Sequence, residues 1–140
     1  MFNKIFPPLF CLISFFSFSQ KEWTKYQSVD GVNIYTKESS CYPENIPSQK
    51  VILIKIENTL NVKISISWKL RVWYDDKESK LDPADTERNI TFNLVANQII
   101  ESDCSLSIHN LYLYKQFLEF KNASVLTKFI LENITITKQK

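Results

Sequence analysis

Between Val62 and Tyr74 the chain keeps one alternating register. Val62, Ile64, Ile66, Trp68, Leu70, Val72 and Tyr74 share one parity; Lys63, Ser65, Ser67, Lys69 and Arg71 hold the other. A helical face recurs about every 3.6 residues, so period two sustained this long specifies a strand with one apolar and one solvated side. Such a strand suits an antiparallel sheet covered on one face. Residues 48–58 precede it with a β-branched run in which Ile52, Ile54 and Ile56 point one way. Asparagines in residues 58–61 can supply the left-handed conformation of a turn, so the two strands are expected to form a long hairpin.

The remaining segments are shorter. Residues 23–28 and 32–36 flank Asp30-Gly31, a strong hairpin dipeptide. Ile90, Phe92 and Leu94 alternate with Thr91 and Asn93, and a turn at Ala96-Asn97 follows. Residues 98–101, 106–108 and 129–137 read as further strands, and residues 112–120 as a strand or a helical turn. Seven or eight short strands separated by turns predict an all-β chain. The expected architecture is a single antiparallel β-sandwich over residues 20–140, like immunoglobulin and fibronectin domains in strand count.

The chain of 140 residues contains one glycine, Gly31. Phosphate-cradling loops, dinucleotide-binding turns and nucleophile elbows all need glycine for close backbone approach or positive φ, so those chemistries are excluded. Charge is near balance, with 17 Lys and Arg against 15 Asp and Glu. Nothing in that balance points to nucleic acid.

Residues 1–19 differ from everything after them. Lys4 is their only charge, an apolar run spans residues 9–18, and Ser17 and Ser19 occupy the positions a signal peptidase accepts. The pattern predicts a secretory signal cleaved before Gln20 and a secreted or periplasmic product. A retained anchor is the alternative, but the apolar run is well short of the roughly 20 residues that span a bilayer. Phe10 stands where a lipoprotein signal carries a small residue before its cysteine, which argues against lipidation of Cys11.

With the leader removed, Cys41 and Cys104 remain. An isolated pair in an exported chain is expected to form a disulfide. The order Cys41, Trp68, Cys104 resembles the immunoglobulin pattern, but Cys41 lies in the polar stretch Ser39-Ser40-Cys41-Tyr42-Pro43. The bridge is therefore expected to pin loops or an edge strand. The leader's Ser-Phe-Ser ending resembles those of flavobacteria-type secreted proteins. Asp30-Gly31-Val32-Asn33-Ile34, Ile56-Glu57-Asn58-Thr59, Val72-Trp73-Tyr74, Asp103-Cys104 and Phe129-Ile130-Leu131-Glu132-Asn133-Ile134 are similar to stretches of small, uncharacterised secreted β-sandwich proteins of that group. The resemblance implies an exported β-domain and no catalytic activity.

Candidate chemistry is sparse. His109 is the only histidine, and its neighbour Asn110 suggests a turn; one imidazole makes a weak metal site. Residues 75–87 carry Asp75, Asp76, Glu78, Asp82, Asp85 and Glu87, but an EF-hand spacing fails and Lys77, Lys80 and Arg88 offset the charge. A solvated loop is the reading, with Ca²⁺ as the alternative. Glu101 and Asp103 could serve a carboxylate-based hydrolase. The sequons at Asn89, Asn122 and Asn133 read as chance in a bacterial chain. Trp73 breaks its strand's parity by standing with Lys69 and Arg71. Tyr112 and Tyr114 oppose Leu111 and Leu113 in the same way. These three aromatics are the candidate partner-binding residues, for a protein or a carbohydrate, unless other segments simply cover them. The expectation is an exported, non-catalytic binding or accessory module without cofactor or metal. A small secreted hydrolase and a purely structural envelope component are the alternatives.

Overall fold

The computed structural model describes residues 22–80 and 88–140. The expected leader, residues 1–19, its cleavage point before Gln20, and Asp82, Asp85 and Glu87 of the acidic run lie outside them. The fold is an all-β sandwich of two antiparallel sheets, with nine strands among the described residues. In the first sheet, β1 (Thr24–Val29) pairs with β2 (Val32–Cys41), and β2 with β3 (Gln49–Asn58). In the second, β4 (Ile64–Tyr74) is central, between β9 (Leu126–Lys138) and an edge shared by β5 (Lys77–Glu78) and β6 (Asn89–Leu94). The far edge of β3 is likewise shared, by β7 (Ile99–Glu101) and β8 (Tyr112–Phe117).

The inward faces meet as the alternation requires. Val32, Ile34, Ile54 and Ile56 pack opposite Ile64, Ile66, Trp68, Ile90 and Leu94 in one buried core. Each fully buried Ile or Leu contributes roughly 1.5–3 kcal/mol. In β9 the register shifts opposite the Ser67 to Lys69 step, and Asn133 there adopts φ 55°. This bulge reverses the strand's parity. Phe129 and Leu131 before it, and Ile134 and Ile136 after it, therefore all reach the same core. At the β1–β2 turn Asp30 and Gly31 both have positive φ, and a Cβ on Gly31 would stand 2.6 Å from Leu60 Cδ2.

Two expectations are corrected. Residues 48–58 and 62–74 do not form a hairpin: β3 and β4 belong to different sheets. Two neighbouring strands with apolar faces on the same side would need a separate cover. Crossing between sheets makes the two faces cover each other. Asn58 pins the crossover. Its buried Nδ2 donates to the carbonyls of Val62 (3.0 Å) and Val95 (2.9 Å), and its Oδ1 accepts from Leu60 N (3.1 Å). The long hairpin is instead β2–β3, paired from Val32↔Asn58 to Cys41↔Gln49.

Residues 106–108 are loop, not strand. Leu106 turns inward at φ 53° and packs with Cys41, Val51 and Leu53 in a second cluster, on the outer face of the first sheet. Cys41, although its stretch is polar in sequence, closes β2 and is fully buried. Its disulfide to Cys104 (Cα–Cα 5.1 Å) clamps the loop between β7 and β8 over that outer face. Finally, residues 112–117 are strand β8, which resolves the choice between strand and helical turn.

Candidate functional site

The shared edge of β4 leaves a gap. β6 accompanies β4 as far as Lys69, and β5 joins it again only at Trp73. Between them, Leu70 N bonds the carbonyl of Arg88, and the carbonyl of Val72 accepts from Ser79 N. Behind this gap a cleft of about 230 Å³ opens between the sheets. Leu70, Val72 and Tyr74 form one wall from the inward face of β4. Tyr112, Leu113 and Tyr114 of β8 form the other, and His109, Asn110 and Arg88 complete the lining.

Two contacts hold the walls in place. The Tyr74 hydroxyl donates to the carbonyl of Tyr114 at 2.9 Å, and the rings stack with centroids 6.1 Å apart. Phe117 packs on Tyr114 at 4.6 Å, and its backbone N–H donates to the Tyr114 hydroxyl. Burial, and secondarily Tyr114, push the Tyr74 phenol above its ordinary value, so it stays a neutral donor. Asn110 takes φ 64° in a tight turn closed by Leu111 N on the carbonyl of Ile108, and His109 sits exposed in that turn.

Arg88 is 9% exposed. One Nη2 proton goes to the carbonyl of Ser79, but Nε has no hydrogen-bond partner among the described residues. Glu78 is near enough to feel this charge, but its hydrogen bonds go to Arg71, at 2.8 and 3.1 Å.

The three candidate aromatics do not come together. Tyr114 lines the cleft with its ring stacked on Tyr74, whereas Tyr112 borders it but packs against the outer-face cluster of Cys41, Val51, Leu53 and Leu106. Trp73 stands on the opposite side of β4, on the outer face, half-buried beneath Arg71 (4.9 Å to its ring centre) and Lys128 (4.7 Å). Its cover comes from its own strand and from β9, not from the tyrosines. A similar arrangement on the first sheet places Lys37 and Lys55 each 4.9 Å from the ring of Trp23, with Lys55 also 4.6 Å from Tyr35. Cations over these rings occupy the surfaces a sugar would stack on.

The acidic candidates have structural partners. Asp75 and Asp76 form the left-handed β4–β5 turn, where Asp75 Oδ1 accepts from Val125 N. Asp103 accepts from the N–H of Ser105 at 2.8 Å and from its hydroxyl. These bonds lower its carboxyl below the usual value and hold it as an anion. Glu101 is exposed opposite Lys55. Among the described residues, no group of three or more His, Cys, Asp or Glu is placed to hold a metal ion.

Arg88 and Tyr74 carried no sequence signal of a site. Tyr74 fits its strand's apolar parity, and Arg88 follows an acidic run that reads as its counter-charge. Only the pairing gap in β4 brings them to β8. No protein-family model, curated protein or solved structure matches the chain.

Proposed function

We propose that this chain is an exported, non-catalytic binding domain and that its ligand site is the cleft between β4 and β8. The observation that carries the reading is the cleft itself. It is a concave site with mainly apolar walls, three tyrosines in its lining and one buried arginine, the usual make-up of a small-molecule pocket. At about 230 Å³ it lies below the roughly 300–1,000 Å³ of drug-sized sites. It suits a small molecule, or one protruding group of a protein or carbohydrate partner. The structural roles of Asp75, Asp103 and Glu78 support a non-catalytic reading over a carboxylate-based hydrolase.

Export belongs to the same proposal. The Cys41–Cys104 disulfide supports it, because such bonds persist in oxidising compartments. No helix among the described residues is long and apolar enough to cross a membrane. Mass spectrometry of protein recovered outside the cytoplasm should find a chain starting at Gln20 with no free thiol; an intact leader with reduced cysteines refutes export.

Backbone amide NMR tests the cleft. Sodium 3-phenylpropionate or its neutral amide, at millimolar concentration, should shift resonances of Leu70, Tyr74, Arg88 and Tyr112–Tyr114 together. Leu113→Trp, which fills the cleft, should remove those shifts. Scattered shifts, or none, would remove the cleft from consideration.

A further inference from the structure

A guanidinium shielded from water and short of an acceptor is expensive. It has lost hydration and not regained an equivalent bond. Native proteins leave few such groups, and each calls for an explanation. Arg88 is nine-tenths buried, lines the cleft and has an orphaned Nε–H. Its acceptor among the described residues is neutral, the carbonyl of Ser79. Among the described residues no acidic side chain lines the cleft, and the nearby carboxylate of Glu78 is held by Arg71 in a two-pronged pair. The missing partner is therefore an acceptor, and a negative one is favoured most.

The surroundings narrow its class. One cation between apolar walls neutralises one negative charge. A phosphate dianion would leave excess charge in a poorly hydrated site whose described lining holds one arginine and no lysine. A carboxylate matches both the single charge and the planar fork of a guanidinium. Beyond the cation, Val72, Tyr74, Leu113 and Tyr114 offer aliphatic and aromatic surface to whatever carries the carboxylate.

We propose that the cleft binds a small monocarboxylate with a compact apolar body. Its carboxylate accepts from the Nε–H of Arg88, and its body lies between Tyr74 on β4 and Leu113 and Tyr114 on β8. This rests on the reading of the cleft as the binding site and names the ligand class for it.

The test compares sodium 3-phenylpropionate with 3-phenylpropanamide, which has nearly the same shape and no charge. Both are titrated by NMR into the full chain, its Arg88→Met variant and its Arg88→Lys variant. On the unaltered protein the acid should bind at least about tenfold more tightly than the amide. Arg88→Met should abolish that preference and leave amide binding within about twofold. Arg88→Lys should keep a preference for the acid but weaken it, because a lysine point charge replaces a two-pronged donor. If Arg88→Met fails to fold, the Arg88→Lys comparison carries the test. Equal affinities for acid and amide, or an acid preference that survives in Arg88→Met, overturn the role of Arg88 while leaving the cleft a binding site. Failure of both probes to shift cleft resonances overturns the two proposals together.

Discussion

The hydroxyl of Tyr74 donates to the backbone carbonyl of Tyr114, 40 positions away, at 2.9 Å. Tyr74 ends the central strand of one sheet and Tyr114 lies on an outer strand of the other, so a side chain joins the sandwich's layers where no backbone ladder can. Tyr74→Phe keeps the ring stack and removes the bond. It should cost about 1 kcal/mol, read as a lower urea midpoint with an unchanged denaturant slope. A variant as stable as the parent would mean that the bond does not brace the cleft.

Trp73 lies between the limits of a core aromatic and a free surface ring. Full burial predicts a loss of roughly 3–5 kcal/mol on truncation, and a solvated position less than about 0.5 kcal/mol. Half-buried under Arg71 and Lys128, Trp73→Ala should cost about 1–2 kcal/mol in urea unfolding. Because the ring is on the outer face, titration of the same variant with 3-phenylpropionate should give the parent affinity. A lost response would place the binding surface on the outside of the second sheet.

The disulfide closes a separation of 63 residues. On the chain-entropy account, replacing both cysteines by alanine should lower stability by about 4 kcal/mol. Leu106, Val51 and Leu53 share the cluster with Cys41. Hydrogen exchange should therefore accelerate first at the β7–β8 loop and the adjoining half of β3, while β4 and β9 keep their protection until global unfolding. Uniform acceleration over both sheets would contradict this local role.

Glu78 supplies an acid-side prediction. Hydrogen bonds from Arg71 are the main reason its carboxyl lies below the usual value. A carboxylate with a folded pKa below its unfolded one adds stability that is fully present above the unfolded value, about 4.3. That stability is lost as pH falls through the lowered folded value. Urea midpoints measured from about pH 6 to pH 3 should show a stability gap between wild type and Glu78→Gln that is open at the upper end and closes towards the lower. A gap that is constant across the range would mean that the pair contributes nothing dependent on charge.

Much of the fold was legible because strand periodicity is local. Alternation at 62–74 and 90–94 became β4 and β6 within a residue or two, and Asp30-Gly31 became the β1–β2 turn. What misled was adjacency. Residues 48–58 and 62–74 are neighbours in sequence with matching apolar faces, and nothing local distinguishes side-by-side pairing from face-to-face packing. The decisive group was the side chain of Asn58, whose second carbonyl partner, Val95, lies 37 positions away. The site was less legible still. Tyr112, Tyr114 and Trp73 all stood out by parity, but only Tyr114 stacks across the cleft on Tyr74; Tyr112 packs against the outer-face cluster and Trp73 faces out from the second sheet.

The sequence by itself determined that the chain makes short antiparallel strands with one apolar face each, that residues 1–19 differ in composition from the rest, and that a single glycine, Gly31, serves the whole chain. Alternation, composition and the identity of a turn dipeptide act over a few residues, so they can be read in order along the chain. The tertiary structure decided which strands share a sheet and that Cys104 clamps a loop to the outside of the sandwich. It also decided that β4 changes neighbours between Lys69 and Trp73. That change leaves Arg88 buried beside an apolar cleft with a donor unused, a property of strands brought together from distant parts of the chain and of no segment alone.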